Sequence, residues 1–214
     1  MSLPVLALVG IAMSLLVAAP TAAQGRGEIE IRRSLVELLT RPPLPPFKDL
    51  NRPTPDSLEV EKVGSKDFPG AVFYRAAWMY NCYDCGSRVA VVAVIGDKNT
   101  PIREMSDLAN VGGEAIRRDL EPLGLENAVF ELLQLGGFVS QLATRVRSSN
   151  EIDARARRWL QPSIEGLDLT PQAWKSGGDL LTKFFVYDPG CLIRVEGSLD
   201  SRNALKIAVD TVAR

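Results

Sequence analysis

Histidine is absent from all 214 residues, and this excludes more chemistry than any motif in the chain supports. Without an imidazole there is no Ser-His-Asp or Cys-His activation of a nucleophile and no HExxH zinc hydrolysis. The side chain that most often acts as a general base near neutrality is missing too. Neither SxxK nor GxSxG occurs, so a lysine-assisted serine and a nucleophile elbow are both missing. GxxxxGK[ST] and GxGxxG are also lacking, and with them the usual glycine-rich phosphate cradles. Charge of one sign is not in excess: 25 Lys and Arg face 26 Asp and Glu, for a formal net charge of -1. That balance gives no global reason to expect nucleic acid or an anionic membrane surface as partner. Cysteine is scarce, with three residues, and aromatics make up 7%.

Charged side chains are missing altogether from residues 1–23, and Val5 to Ala19 is almost wholly apolar. The stretch reads as the h-region of a secretory signal peptide, with Thr21-Ala22-Ala23 as a small-residue cleavage site before Gln24, although its n-region has no Lys or Arg. An uncleaved membrane anchor is the alternative, since the apolar run is nearly long enough. Either reading exports the rest of the chain, so the expected location is extracytoplasmic, periplasmic or secreted. Residues 24–66 are expected to form a short N-terminal helix ending before Pro42, then a proline-rich extended linker, Arg41 to Phe47 and on through Pro53 and Pro55. As a docking ligand that PxxP segment would bind a partner; as a spacer it simply lies on the domain.

Residues 67–214 are expected to form a single α+β domain with a helical insertion at 107–165. Ala71 to Met79 has the composition of a half-buried strand, and Arg88 to Gly96 contains the unbroken apolar run Val89 to Ile95 of a strand covered on both faces. A wide hairpin loop, Tyr80 to Ser87, joins them. Pro101 to Met105 reads as an edge strand, with Ser106-Asp107 capping a helix. In the middle, Leu125 to Leu135, Phe138 to Val146 and Glu151 to Leu160 have helical spacing, cut by Pro122, Gly124, Gly136-Gly137 and Pro162. Thr170-Pro171 would start a short helical turn through Trp174. Leu181 to Tyr187 and Cys191 to Val195 follow as strands, and a final helix capped by Asp200 would align Leu205, Ala208, Val209 and Val212. The order strand, strand, helix would thus occur twice. The fold class expected is α+β, a mostly antiparallel sheet built from strand-strand-helix units with a helical middle segment packed on one side.

Candidate site residues are few. Cys82 and Cys85, three apart in the hairpin loop, read most simply as a local disulfide in an exported protein, strained and more reducible than a long-range bridge. The sharper reading is a thiol-disulfide exchange site with Cys82 as nucleophile and Cys85 as resolving thiol, but such pairs favour a helix N-terminus and here an apolar strand follows. Cys191 makes the count odd: it is either buried and inert or bridged to one of the loop cysteines. Zinc would need about four ligands, and haem attachment needs a histidine where Gly86 stands, so neither a metal nor a cofactor is expected. Arg145, Arg147, Arg155, Arg157 and Arg158 form the local basic cluster, either a solvated helical face or a patch for an anion or an acidic partner. Glu104, Asp107, Asp188 and Glu196 read as surface or capping carboxylates. A histidine-free carboxylate hydrolase would need two such groups facing each other across a cleft. The expectation is an exported binding or interaction module for a protein or small-molecule partner, without catalytic activity, with a thiol-disulfide oxidoreductase as the alternative.

Overall fold

A computed structural model of the chain describes residues 22–44, 50–81, 87–152, 156–158, 160 and 164–213. The first element is the helix α1, Ala22–Leu39. Ile31, Leu35 and Leu39 recur every fourth residue and are all buried, so one stripe of the helix faces protein. Thr40 donates its hydroxyl to the Val36 carbonyl at 2.8 Å, and the helix ends shortly before Pro42. Four strands follow as an antiparallel meander, β1 (Glu61–Gly64), β2 (Ala71–Met79), β3 (Ser87–Ile95) and β4 (Lys98–Ile102), in spatial order β1-β2-β3-β4. β3 lies between two neighbours and is packed on both faces, as its uninterrupted β-branched run requires.

Two helices come next, α2 (Met105–Ala115) and α3 (Pro122–Leu135). Asp107 accepts the backbone N–H of Arg103 and Glu104 at 2.9 and 3.2 Å and so starts α2, while Pro122 opens α3 where a missing N–H costs nothing. A second antiparallel sheet closes the chain. It consists of β5 (Thr144–Val146), β6 (Gln172–Ser176), β7 (Asp179–Asp188), β8 (Cys191–Leu199) and β9 (Leu205–Ala213), ordered β5-β7-β8-β9, with β6 also on β7.

The layers follow from which residues share a core. Ile31, Leu35 and Leu39 of α1 meet Ala76, Ala90 and Val92 on one face of the first sheet. Phe73, Val91 and Ala93, on the opposite face, join Leu108 and Val111 of α2, Leu125, Leu132 and Leu133 of α3, and Phe184, Val186 and Val195 of the second sheet. The order is therefore α1, first sheet, α2 with α3, second sheet, and the middle helices are covered on two sides. Val146, Ile152, Leu160, Ile164 and Leu169 cover part of the far face of the second sheet over Phe185 and Leu192.

The α+β class and the antiparallel pairing hold, with the strands divided between two sheets. Three local expectations are corrected. The final helix after Asp200 is the strand β9: Leu205, Ile207 and Val209 alternate toward the core, and Asn203, at φ 63°, turns the chain straight back along β8. The helical turn through Trp174 is β6, because Gly177 and Gly178, both at positive φ, make a two-residue hairpin that lays it on β7. Phe138 to Val146 is not a helix. Gly137 takes φ 74° and ends α3, Ser140 docks on Asp188, and the chain re-enters as β5. The second strand-strand-helix unit therefore has a strand where its helix was expected. Of Glu151 to Leu160, a 3-10 turn at Ser149–Glu151 and helical residues 156–158 and 160 are described.

Candidate functional site

Strand parity builds the site. On β2 the residues Ala71 and Phe73 point into the core between the sheets, so Arg75, Ala77 and Met79 lie on that same face. Register places Val91 opposite Arg75, Val89 opposite Ala77, and Ser87 opposite Met79. The helices cover only part of this face: α3 ends at Leu135, and Gly136-Gly137 turns the chain away. Toward the hairpin end the face is open. Met79 is 73% exposed and Val89 41%, while Leu142, on the turn after α3, is 76% exposed. Gly137 ties that turn to the same face, since a Cβ built on it would lie 3.1 Å from Val89 Cγ1.

Beside this apolar strip runs a polar cleft. A recess of about 180 Å³ is lined by Glu61, Val63, Phe73, Arg75, Glu131, Gln134, Leu135 and Gln141. It adjoins a shallower one of about 470 Å³, which shares Glu61, Arg75 and Gln141 and adds Glu59, Val60 and Ala77. Arg75 is half-buried where the two meet, and it has neither a hydrogen bond nor an ion pair among the described residues. Glu61 lines both recesses with Arg75, Glu131 lines the first and Glu59 the second, so carboxylates outnumber the one guanidinium along the cleft. The arrangement can hold an apolar group on Met79, Val89 and Leu142 and a cationic group among the carboxylates. Two other recesses, of about 620 Å³ each, include charges already paired within the chain, Arg32 with Glu28 and Lys98 with Glu114.

The strip is rigidly mounted. Asn51 donates its amide to the Met79 carbonyl at 3.2 Å, and its Oδ1 accepts the Asn81 N–H at 2.6 Å. The Asn51 carbonyl in turn accepts Trp78 Nε1 at 2.9 Å, on the opposite face of the strand. The end of β2 is thus fixed by the linker that passes beneath it.

Cys82 and Cys85 lie outside the described residues, in the loop that the Met79 and Ser87 pairing closes. Cys191 opens β8 opposite Asp188 and packs against the central core. The arginines do not share one face. Arg145, on β5, donates to Glu126 Oε1 at 2.8 Å, bonds Asn127, and stacks over the Phe130 ring at 5.4 Å. Arg157 donates to the carbonyls of Asn150 and Ile152 at 3.1 and 3.0 Å and holds its own loop. Arg147 lines a separate recess with Glu121 and Glu126, Arg158 is exposed, and Arg155 lies outside the described residues. Of the four carboxylates, Asp107 caps α2, Asp188 accepts the Ser140 N–H at 3.0 Å, Glu196 approaches Arg194 at 3.7 Å, and Glu104 binds the Ser106 hydroxyl at 2.7 Å.

Sequence reasoning missed Arg75, Met79, Glu61, Gln141 and Leu142 as a group. Part of the signal was present, since the predicted strand Ala71 to Met79 puts Arg75 and Met79 on one face by period two. Leu142 falls in Phe138 to Val146, whose helical spacing hides that it stands on an exposed turn. Among the described residues no cluster of three or more metal-ligating side chains occurs. No described helix is long and apolar enough to cross a membrane. Comparisons of the chain with protein-family models, with curated proteins and with solved structures find no match.

Proposed function

We propose that this chain is an exported binding module, periplasmic or secreted, which holds an amphipathic segment of another protein against the open face of its first sheet. The observation that carries this reading is the strip Met79, Val89 and Leu142 beside the unpaired Arg75. Two of these side chains are more than 70% exposed, although the chain has ample core positions for apolar residues. Contiguous exposed apolar surface rimmed by polar groups is characteristic of interaction sites. The carboxylates along the cleft favour a basic residue flanking the apolar anchor in the ligand, and Arg75 itself can meet a backbone carbonyl or a carboxylate.

Export rests on the uncharged leader at residues 1–23, and it gives Cys82 and Cys85 an oxidising environment. In this reading they form a staple across the hairpin loop that follows Met79. No partner beyond the bound segment, no cofactor and no metal is needed.

The test is retention of envelope proteins on the immobilised chain, compared with Met79→Asp. A carboxylate in the strip should lower retention of the bound protein by about tenfold or more, as hot-spot truncations do. Equal retention by both, or by neither, overturns the reading.

A further inference from the structure

The second sheet ends in a long edge strand that no proline interrupts and no described strand covers. This is β9, nine residues long and outermost beyond β8. The other edges are blunted: β1 has four residues, β5 three and β6 five, and β4 carries Pro101, which has no N–H to offer. A long strand with a free row of backbone donors and acceptors is a template for another strand.

Two features of β9 select that strand. The first is geometric. β9 pairs with β8 in continuous register from Leu205 to Thr211, then a bulge at Val212 breaks the ladder, because Leu192 pairs with Ala213 and Ile193 with Thr211. The regular stretch has Ala208 at its midpoint. The second is electrostatic. Lys206 and Asp210 stand symmetrically about Ala208, and Lys206 has no partner among the described residues. An antiparallel copy of the same strand, centred on Ala208, therefore sets Lys206 against Asp210 of the second copy twice, with the small Ala208 side chains meeting on the two-fold axis. On the other face Ile207 meets Val209 of the second copy twice and extends the apolar layer. Asp210 already accepts Arg194 Nη2 at 2.7 Å, so it would lie between that guanidinium and the incoming ammonium. Glu196 is opposite Ala208 on β8 and is balanced by Arg194 at 3.7 Å.

We propose that the chain forms a two-fold dimer through antiparallel pairing of β9 with β9 of a second copy, in the register centred on Ala208. This interface is separate from the open face of the first sheet and does not depend on the binding reading.

Sedimentation velocity of the purified protein between about 1 and 100 μM should show a concentration-dependent dimer, as expected of an interface limited to a strand edge. Lys206→Asp sets a new carboxylate against Asp210 of the second copy, and Asp210→Lys sets a new ammonium against its Lys206. Each variant alone should therefore dimerise about tenfold more weakly or worse. Mixed in equal amounts they should recover dimer, since one strand then carries two carboxylates and the other two ammonium groups. Both positions are exposed, and unchanged far-ultraviolet circular dichroism confirms that each variant is folded. A wild-type monomer at the highest concentration overturns the proposal and leaves the edge to a strand of a different protein. Variants that dimerise like the wild type, or a mixture that stays monomeric, overturn it as well.

Discussion

Arg145 shows what a single side chain does here that composition could not reveal. Its guanidinium meets the Glu126 carboxylate at 2.8 Å, and Glu126 is only 3% exposed, on the helix packed between the sheets. A buried carboxylate without its cation carries a large desolvation cost. Arg145→Ala should therefore destabilise the fold by about 3 kcal/mol in chemical denaturation. In the double variant Arg145→Met with Glu126→Gln, no buried charge is left to compensate and most of that loss should be regained. If Arg145→Ala were as stable as the wild type, the ion pair would have no structural role. From the sequence, Arg145 belongs with the other arginines of 145–158, because charge density is visible there while partners are not. Glu126, the one buried acidic residue among those described, sits in an ordinary-looking helix turn, Leu125 to Val129.

Between elements, α2 approaches the turn into β9 closely enough that backbone meets backbone. A Cβ added at Gly113 would lie 2.7 Å from the Asn203 carbonyl oxygen and 3.2 Å from the Leu205 backbone nitrogen, so backbone would have to move. Gly113→Ala gains helix propensity but loses this approach, and a net cost of about 2 kcal/mol is expected in thermal or urea unfolding. At Gly112 the atoms in the way are the ends of Leu132 and Leu205, which can rotate, so Gly112→Ala should cost less. A measured order of the reverse sense would mean that the helix and strand are not packed as described. The same junction shows why elements were only partly legible. Strands β2, β3, β7 and β8 stand out because each run is long and rich in β-branched or aromatic residues. In β9 the spacing Leu205, Ala208, Val209, Val212 fits a helix as well as Leu205, Ile207, Val209 fits a strand, and the decision comes from β8, which needs a neighbour. β1, β5 and β6 are too short to carry any period of their own.

In the whole molecule, α1 is an outer layer; Arg32 ties its middle to the Pro55 and Leu58 carbonyls, and two further clamps hold its C-terminal end. The Leu39 carbonyl accepts the buried Tyr80 hydroxyl at 2.6 Å, while Arg88 bonds the carbonyls of Arg41 and Pro43. Truncating both clamps, Tyr80→Phe with Arg88→Ala, should cost about 2–3 kcal/mol. It should raise hydrogen exchange in α1 and β3 ahead of α2 and α3, because α1 shares its apolar cluster with the first sheet and Leu58 and not with the middle helices. Uniform loss of protection throughout the chain would contradict a separable outer layer. The layering explains the remaining limit of the sequence. Helices covered on two sides and a sheet packed on both faces have mixed patterns, so the sequence shows that apolar faces exist but not which of them meet.

The clamp also gives the molecule a direction. Gly27, in the first half of α1, borders the recess by Gly96 and Asp97, whereas Leu39 borders Tyr80 and Arg88 at the hairpin end. Helical rise sets Gly27 and Leu39 about 18 Å apart along the axis. A chain moored to a bilayer by the segment preceding α1 would carry Met79 and Leu142 on the end remote from its mooring, turned outward to whatever passes.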